Sequence, residues 1–183
     1  MQNENPLIFL IDTLFDIYIA VLLLRFLLQQ LGADYYNPIA QFIVRVTQPV
    51  VGIARRYIPS YRKVDIATLI VIIIFIAIKV GLLASLRGGN YSVVAILIVS
   101  LYDFISLTFD IFIFAIFIQA ILSWVNPDPR NPVSSILHSL TAPILRPVKK
   151  LLPDMGGIDI SPIFALIGLM FLKRVVLYFF QLL

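Results

Sequence analysis

Cysteine is absent from the 183-residue sequence. Its absence excludes disulfides, thiolate metal sites, cysteine nucleophiles and covalent c-type haem attachment. Histidine occurs once, at His138. A single imidazole without cysteine or a second histidine makes a poor metal or haem site, so neither metal nor cofactor is expected. The sequence also lacks a Gly-rich phosphate loop, a zinc-protease pattern and a serine-based catalytic set, and this points away from an enzyme. Charge is scarce: Asp, Glu, Lys and Arg make up 13% of the chain. Nucleic-acid binding has no support beyond basic clusters that a bilayer explains.

What the chain has is apolar length. Hydrophobic residues make up 61% of it, and the mean hydropathy is +1.00. Four stretches, 7–31, 64–86, one within 93–125 and 158–182, are long enough for a hydrocarbon core of about 30 Å, which takes roughly 20 helical residues. The third is too long for one untilted span, so 93–100 reads as a lead-in and about 101–125 as the span. The start, MQNENPLIFL, has no basic n-region and no small-x-small cleavage site, so no removable signal peptide is expected.

Sliding the sequence by 94 positions aligns 7–89 with 101–183 without a gap, and eighteen positions are then identical. Asp16/Asp110, Asn37/Asn131, Pro38/Pro132, Thr47/Thr141, Pro49/Pro143, Pro59/Pro153, Asp65/Asp159 and Lys79/Lys173 are among them. Hydrophobic composition would match Leu and Ile by chance, but not Asp, Lys, Pro and Asn in register. The expected domains are 1–92, with an amphipathic segment 37–63, and 93–183, with an amphipathic segment 131–157. Each is span, amphipathic segment, span. An even number of spans returns the chain to its starting side, so the copies run parallel, with a pseudo-twofold axis expected along the membrane normal. The predicted class is all-α: four transmembrane helices in two parallel repeats, each with an interfacial amphipathic helix pair.

Nine of the 14 Lys and Arg residues lie in the two segments or at their edge: Arg45, Arg55, Arg56, Arg62, Lys63, Arg130 just ahead of the second, Arg146, Lys149 and Lys150. The positive-inside tendency makes both segments cytoplasmic and puts both termini outside. Their apolar residues recur at helical spacing, as in a helix half-sunk in the interface with its cations toward anionic headgroups. Arg55, Arg56, Arg146, Lys149 and Lys150 are the candidate surface for membrane or partner binding, although the same segments could serve only as connectors. Thr47 and Thr141 are expected to cap a second short helix carrying Pro49 or Pro143 in its first turn, and Pro59 and Pro153 to end it. Asp65 and Asp159 cap the following spans or pair with the basic residues, and Ser161 and Pro162 open the last span.

Ionisable residues inside spans mark a pair or a pathway. Counting about 1.5 Å per residue from the basic side puts Asp16 and Lys79 level, and the repeat puts Asp110 and Lys173 level. Two intramembrane ion pairs follow, with exchange between copies (Asp16 with Lys173) or lysine snorkelling left open. Arg25 is placed to reach headgroups. If these groups lined an ion path, four spans would enclose little unless the chain formed a homo-oligomer.

Two strings carry a resemblance. "NPI...VTQPVVGIARRYIP...VDIATLI" and "NPV...LTAPILRPVKKLLPDMGGIDISPIFALI" resemble the YggT (YlmG-like) family of small integral membrane proteins, as two tandem units covering essentially the whole chain. The first unit departs from the pattern, with Gly52 and Ile53 against Arg146 and Pro147, and Ala67 and Thr68 against Ser161 and Pro162. That asymmetry suggests that the second unit carries any partner-specific role. The resemblance implies a multi-pass protein of the bacterial inner membrane, where the outward-facing termini read from the charges would be periplasmic. It also implies links to cell division, osmotic or ion-stress tolerance, or assembly of membrane complexes. It carries no catalytic residues. A non-enzymatic scaffold or assembly factor that recruits anionic phospholipid or a division or assembly protein is the expectation, with an ion-translocating protein as the alternative.

Overall fold

The computed structural model describes residues 5–61, 64–89, 91–125, 131–152 and 159–180, apart from the Trp124 side chain. Among the expectations above, those for Pro153, Arg62, Lys63 and Arg130 fall outside the described residues. The described chain forms six helices: α1 Pro6–Gln30, α2 Pro38–Tyr57, α3 Ile66–Leu86, α4 Val93–Val125, α5 Pro132–Leu151 and α6 Ser161–Phe180. It contains no strand, only an isolated bridge between Tyr61 and Val64. Helices α1, α3, α4 and α6 are long and apolar enough to cross a membrane.

Local chemistry sets the boundaries. Asn-Pro opens three helices: Asn5, Asn37 and Asn131 each accept a hydrogen bond from the amide two residues on, while Pro6, Pro38 and Pro132 occupy positions where no intrahelical N–H is needed. Gly32 takes φ 67° just after α1, a left-handed conformation that lets the Ala33 amide reach back to the Leu28 carbonyl. Helix α4 is a single 33-residue helix with no break between 93–100 and the rest. At about 50 Å it is longer than a hydrocarbon core, so it tilts or projects.

The proline expectation is corrected. Helices α2 and α5 run unbroken through Pro49, and through Pro143 and Pro147. Thr47 starts no new helix; its hydroxyl donates to the Ile43 carbonyl at 2.7 Å, the back-bonding of a helix-interior threonine. All three prolines are exposed, so the bonds they forgo fall on the outer side while packed inner faces hold the turns together.

The main core joins α1, α2 and α3 through fully buried Leu22, Leu23, Val51, Ile72 and Ile76, and draws in Ile136, Leu137 and Leu140 from α5. A smaller one holds Ile116, Leu145 and Ala165. Helix α3 is the most enclosed of the four long helices, with 39% of its most apolar window buried against 11–17% for the others, so it occupies the middle. The outer faces of the others carry large apolar side chains such as Phe9, Phe117, Phe171 and Phe179.

A twofold relation between the units would require α6 to pack on α1 as α3 packs on α4, and α4 on α2 as α1 packs on α5. Neither contact occurs among the described residues, which overturns the pseudo-twofold expectation. Helices α3 and α4 are joined only by 87–92, and so short a connection makes antiparallel neighbours of them. Helices α6 and α1 have no such link.

The starts of α2 and α5 meet where the buried Asn37 donates from Nδ2 to the Pro132 carbonyl at 2.8 Å. Asn37 therefore caps its own helix and ties the units together, whereas the Asn131 side chain makes only its cap among the described residues. Asn37→Ala is expected to cost about 2 kcal/mol and Asn131→Ala about 1 kcal/mol, read as thermal stability in detergent.

Candidate interfacial site

Helix α2 has three faces. Ala40, Ile43, Thr47 and Val51 point into the bundle; Phe42, Val46, Ile53 and Tyr57 form an exposed apolar stripe; Gln41, Arg45, Gln48 and Arg56 form an exposed polar one. In α5 the counterparts of Phe42 and Val46, Ile136 and Leu140, are buried, so the two amphipathic helices sit differently on the bundle.

The five candidate surface cations divide into two kinds. Arg55 is turned inward onto Asp65 and also donates to Gln29 Oε1 at 2.9 Å. Lys149 repeats the pattern, with Nζ 2.6 Å from Asp159 Oδ2. Each aspartate also caps its span: Asp65 accepts from the amide and hydroxyl of Thr68, and Asp159 from those of Ser161. These are latches between an amphipathic helix and the span after it. Arg56, Arg146 and Lys150 are exposed and have no ionic partner among the described residues. Ser161 and Pro162 are buried at the start of α6, and α2 stops at Tyr57, two residues before Pro59.

The latches differ in burial. Asp65 is 1% exposed, whereas Asp159 and Lys149 are about half exposed. Desolvation works against the Asp65 carboxylate, but hydrogen bonds from Arg55 and Thr68 outweigh it and hold the group below the usual carboxylate range. Asp159 is lowered in the same way, the opposing desolvation being overcome by Lys149 and Ser161.

Arg25 is folded inward onto α2 rather than extended outward from the end of α1, which corrects the outward reach expected of it. It is 4% exposed and folds onto α2, where Nη1 donates to Thr47 Oγ1 at 2.8 Å and the Val44 carbonyl at 3.3 Å, and Nη2 to Gln48 Oε1 at 2.9 Å. In the second unit Gln119 stands at that position and accepts from the Thr141 hydroxyl. The identical threonines were the available signal, since both are fully buried and both meet a long polar side chain from the preceding span.

Within the spans, Lys79 Nζ lies 2.8 Å from Asp16 Oδ1, and Lys173 Nζ 2.6 Å from Asp110 Oδ1. Two further aspartates join the first pair: Asp103 of α4 approaches Lys79 at 3.3 Å and Asp12 of α1 at 3.8 Å. Asp12 precedes Asp16 by one helical turn, which the sequence signals. Asp103 arrives from the other unit, which nothing in the sequence signals. No group of three or more His, Cys, Asp or Glu side chains placed to hold a metal ion occurs among the described residues.

A crevice of about 1140 Å³ opens between the end of α1 and the polar face of α2, lined by Arg25, Arg45, Arg55, Gln29, Gln41 and Gln48 among others. An apolar groove of about 680 Å³ between α1, α2, α4, α5 and α6 shares Ile43 with it.

A family model described as CCB3/YggT matches residues 4–86 and again 98–180, two segments offset by 94 residues at both ends. The chain is 39% identical over 173 residues to an uncharacterized protein of Pseudomonas aeruginosa, covering 93% of this chain and 87% of that one. It is 41% identical over 169 residues to an uncharacterized protein encoded in the proC 3' region of Vibrio alginolyticus, covering 91% of each. It is also 41% identical over 162 residues to the uncharacterized protein YggT of Escherichia coli, covering 86% of this chain and 82% of that one. No solved structure matches the chain.

Proposed function

The chain belongs to the CCB3/YggT family, and from that premise we propose a multi-pass protein of the bacterial inner membrane that works as a non-enzymatic scaffold or assembly factor. In this reading its two units run parallel, both termini are periplasmic, and α2 and α5 lie in the cytoplasmic interface. The basic sides of those helices recruit anionic lipid or a protein partner.

One observation carries the proposal. The cations of α2 and α5 are sorted: Arg55 and Lys149 are spent on the latches, while Arg56, Arg146 and Lys150 stay exposed and have no ionic partner among the described residues. Exposed cations on a half-apolar helix suit an anionic leaflet and the acidic face of a partner. The apolar stripe Phe42, Val46, Ile53 and Tyr57 gives α2 a surface to sink into the acyl boundary.

Changing Arg56, Arg146 and Lys150 together to Gln is expected to leave membrane insertion intact while removing most of the proteins recovered by in-cell crosslinking. An unchanged set of crosslinked partners would sink the scaffold reading. The cluster of Lys79 with three carboxylates favours ion translocation as a second reading. Ion flux into proteoliposomes of purified protein, abolished by Lys79→Met, would support it, and absence of flux would remove it.

A further inference from the structure

We propose that the crevice between α1 and α2 holds one anionic phospholipid through its headgroup phosphate, with Arg25 and Arg45 as the principal cationic contacts. This deepens the reading above and rests on α2 lying at headgroup level.

The charge in the crevice is unbalanced. Asp65 neutralises Arg55, but no carboxylate lines the crevice among the described residues, and neither Arg25 nor Arg45 has a carboxylate partner there. Arg25 is more than nine-tenths buried and engages neutral oxygens at Nη1 and Nη2, which account for at most three of its five N–H groups. Those bonds are all made by Nη1 and Nη2, so at least two of its N–H groups make no hydrogen bond among the described residues. A buried guanidinium needs a counter-charge, and a planar donor fork suits two oxygens of a phosphate.

Size and depth point to a lipid. Arg25 lies five residues from the end of α1, about 7.5 Å along the axis, which is headgroup depth when that end meets the interface. The crevice, about 1140 Å³, is much larger than a bare phosphate ion requires. Beside it, the apolar groove that shares Ile43 offers a path for an acyl chain. Gln29, Gln41 and Gln48 supply neutral donors for the ester and glycerol oxygens of a headgroup.

The site is confined to the first unit. The positions of Arg25, Arg45 and Gln48 are Gln119, Ser139 and Ala142 in the second, and only the Arg55 position keeps a cation, as Lys149. This reverses the expectation that the second unit is the specialised one.

The full chain, purified in detergent, is titrated with phosphatidylglycerol, phosphatidylcholine or inorganic phosphate and followed by native mass spectrometry. Wild type is expected to retain one phosphatidylglycerol per chain, with phosphatidylcholine about ten-fold weaker and inorganic phosphate unable to displace the lipid. Arg25→Gln is expected to weaken retention about ten-fold, and it should fold because Gln119 occupies the equivalent place against Thr141. Arg45→Ser, an exposed change, gives an independent loss, while R146Q with K150Q keeps the lipid. Equal retention of both lipids by wild type, or unchanged retention in R25Q and R45S, overturns the proposal. Displacement of the lipid by inorganic phosphate at equal concentration reassigns the crevice to a free ion and also overturns it. The surface reading fails separately, through unchanged crosslinks in the Arg56, Arg146 and Lys150 variant.

Discussion

Lys79→Met is expected to reduce the amount of folded protein in the membrane far more than Lys173→Met. Both lysines come from the second span of a unit and meet an aspartate of the first, at 2.8 Å and 2.6 Å. The surroundings differ. Lys79 is also approached by Asp12 and Asp103, so its loss leaves three carboxylates facing one another, whereas loss of Lys173 leaves only Asp110. A charged residue at mid-membrane costs about 3 kcal/mol on insertion scales. Asp16 and Asp110 are about half exposed and can draw in water, so the cost of an unpaired one is lower, about 1–2 kcal/mol. Three clustered carboxylates repel as well, which puts the Lys79 variant at about 3 kcal/mol or more. Lys79→Arg keeps the charge and should recover most of the loss. The exchange Asp16→Lys with Lys79→Asp should recover less than half, because it sets a lysine where Asp12 and Asp103 no longer both reach it. Membrane-fraction protein level and melting of the purified protein in detergent read all of these. Equal effects of the two lysine-to-methionine changes would show that Asp12 and Asp103 contribute nothing to the cluster.

The same cluster marks how far the sequence could be read. Run length alone picks out the four helices that are long and apolar enough to cross a membrane. Rise per residue gives level along an axis, so it speaks to Asp16 with Lys79 within a unit. It is silent on which helix of the other unit comes alongside, and Asp103 is therefore illegible. Proline misled for a related reason: the local cost of Pro49 is real, but it is set against packing by Val51, Thr47 and Ile43 that composition does not display. Arg25 was misread because an arginine near a span end usually snorkels outward. What turns it inward is a pair of acceptors on α2, Thr47 and Gln48, more than twenty residues away. The twofold axis failed because an internal repeat fixes the shape of each unit and not the contact between units, which the short 87–92 link decides.

Asp65→Ala is expected to be the second severe change, with Asp159→Ala much milder. Asp65 is buried, caps α3 through the Thr68 amide and hydroxyl, and anchors Arg55 of α2. The cap is worth about 1 kcal/mol, and breaking a buried ion pair by removing one partner costs about 3 kcal/mol, less here because Arg55 is partly exposed and can rehydrate. A total near 3 kcal/mol follows for Asp65→Ala. At Asp159 both partners are half in solvent, so screening leaves little beyond the cap, about 1 kcal/mol. Asp65→Asn keeps an acceptor for the Thr68 amide and isolates the ionic part, and its pH dependence gives a second check. The folded carboxyl titrates below its unfolded value of 3.8, so the latch is fully present above that pH and is lost as pH falls through the lower folded value. The difference in melting temperature between wild type and Asp65→Asn should therefore stay constant from pH 8 to about pH 5 and narrow only below about pH 4. A difference that already narrows near neutral pH would mean that Asp65 is not held ionised by Arg55, and that something other than this latch keeps α2 against α3.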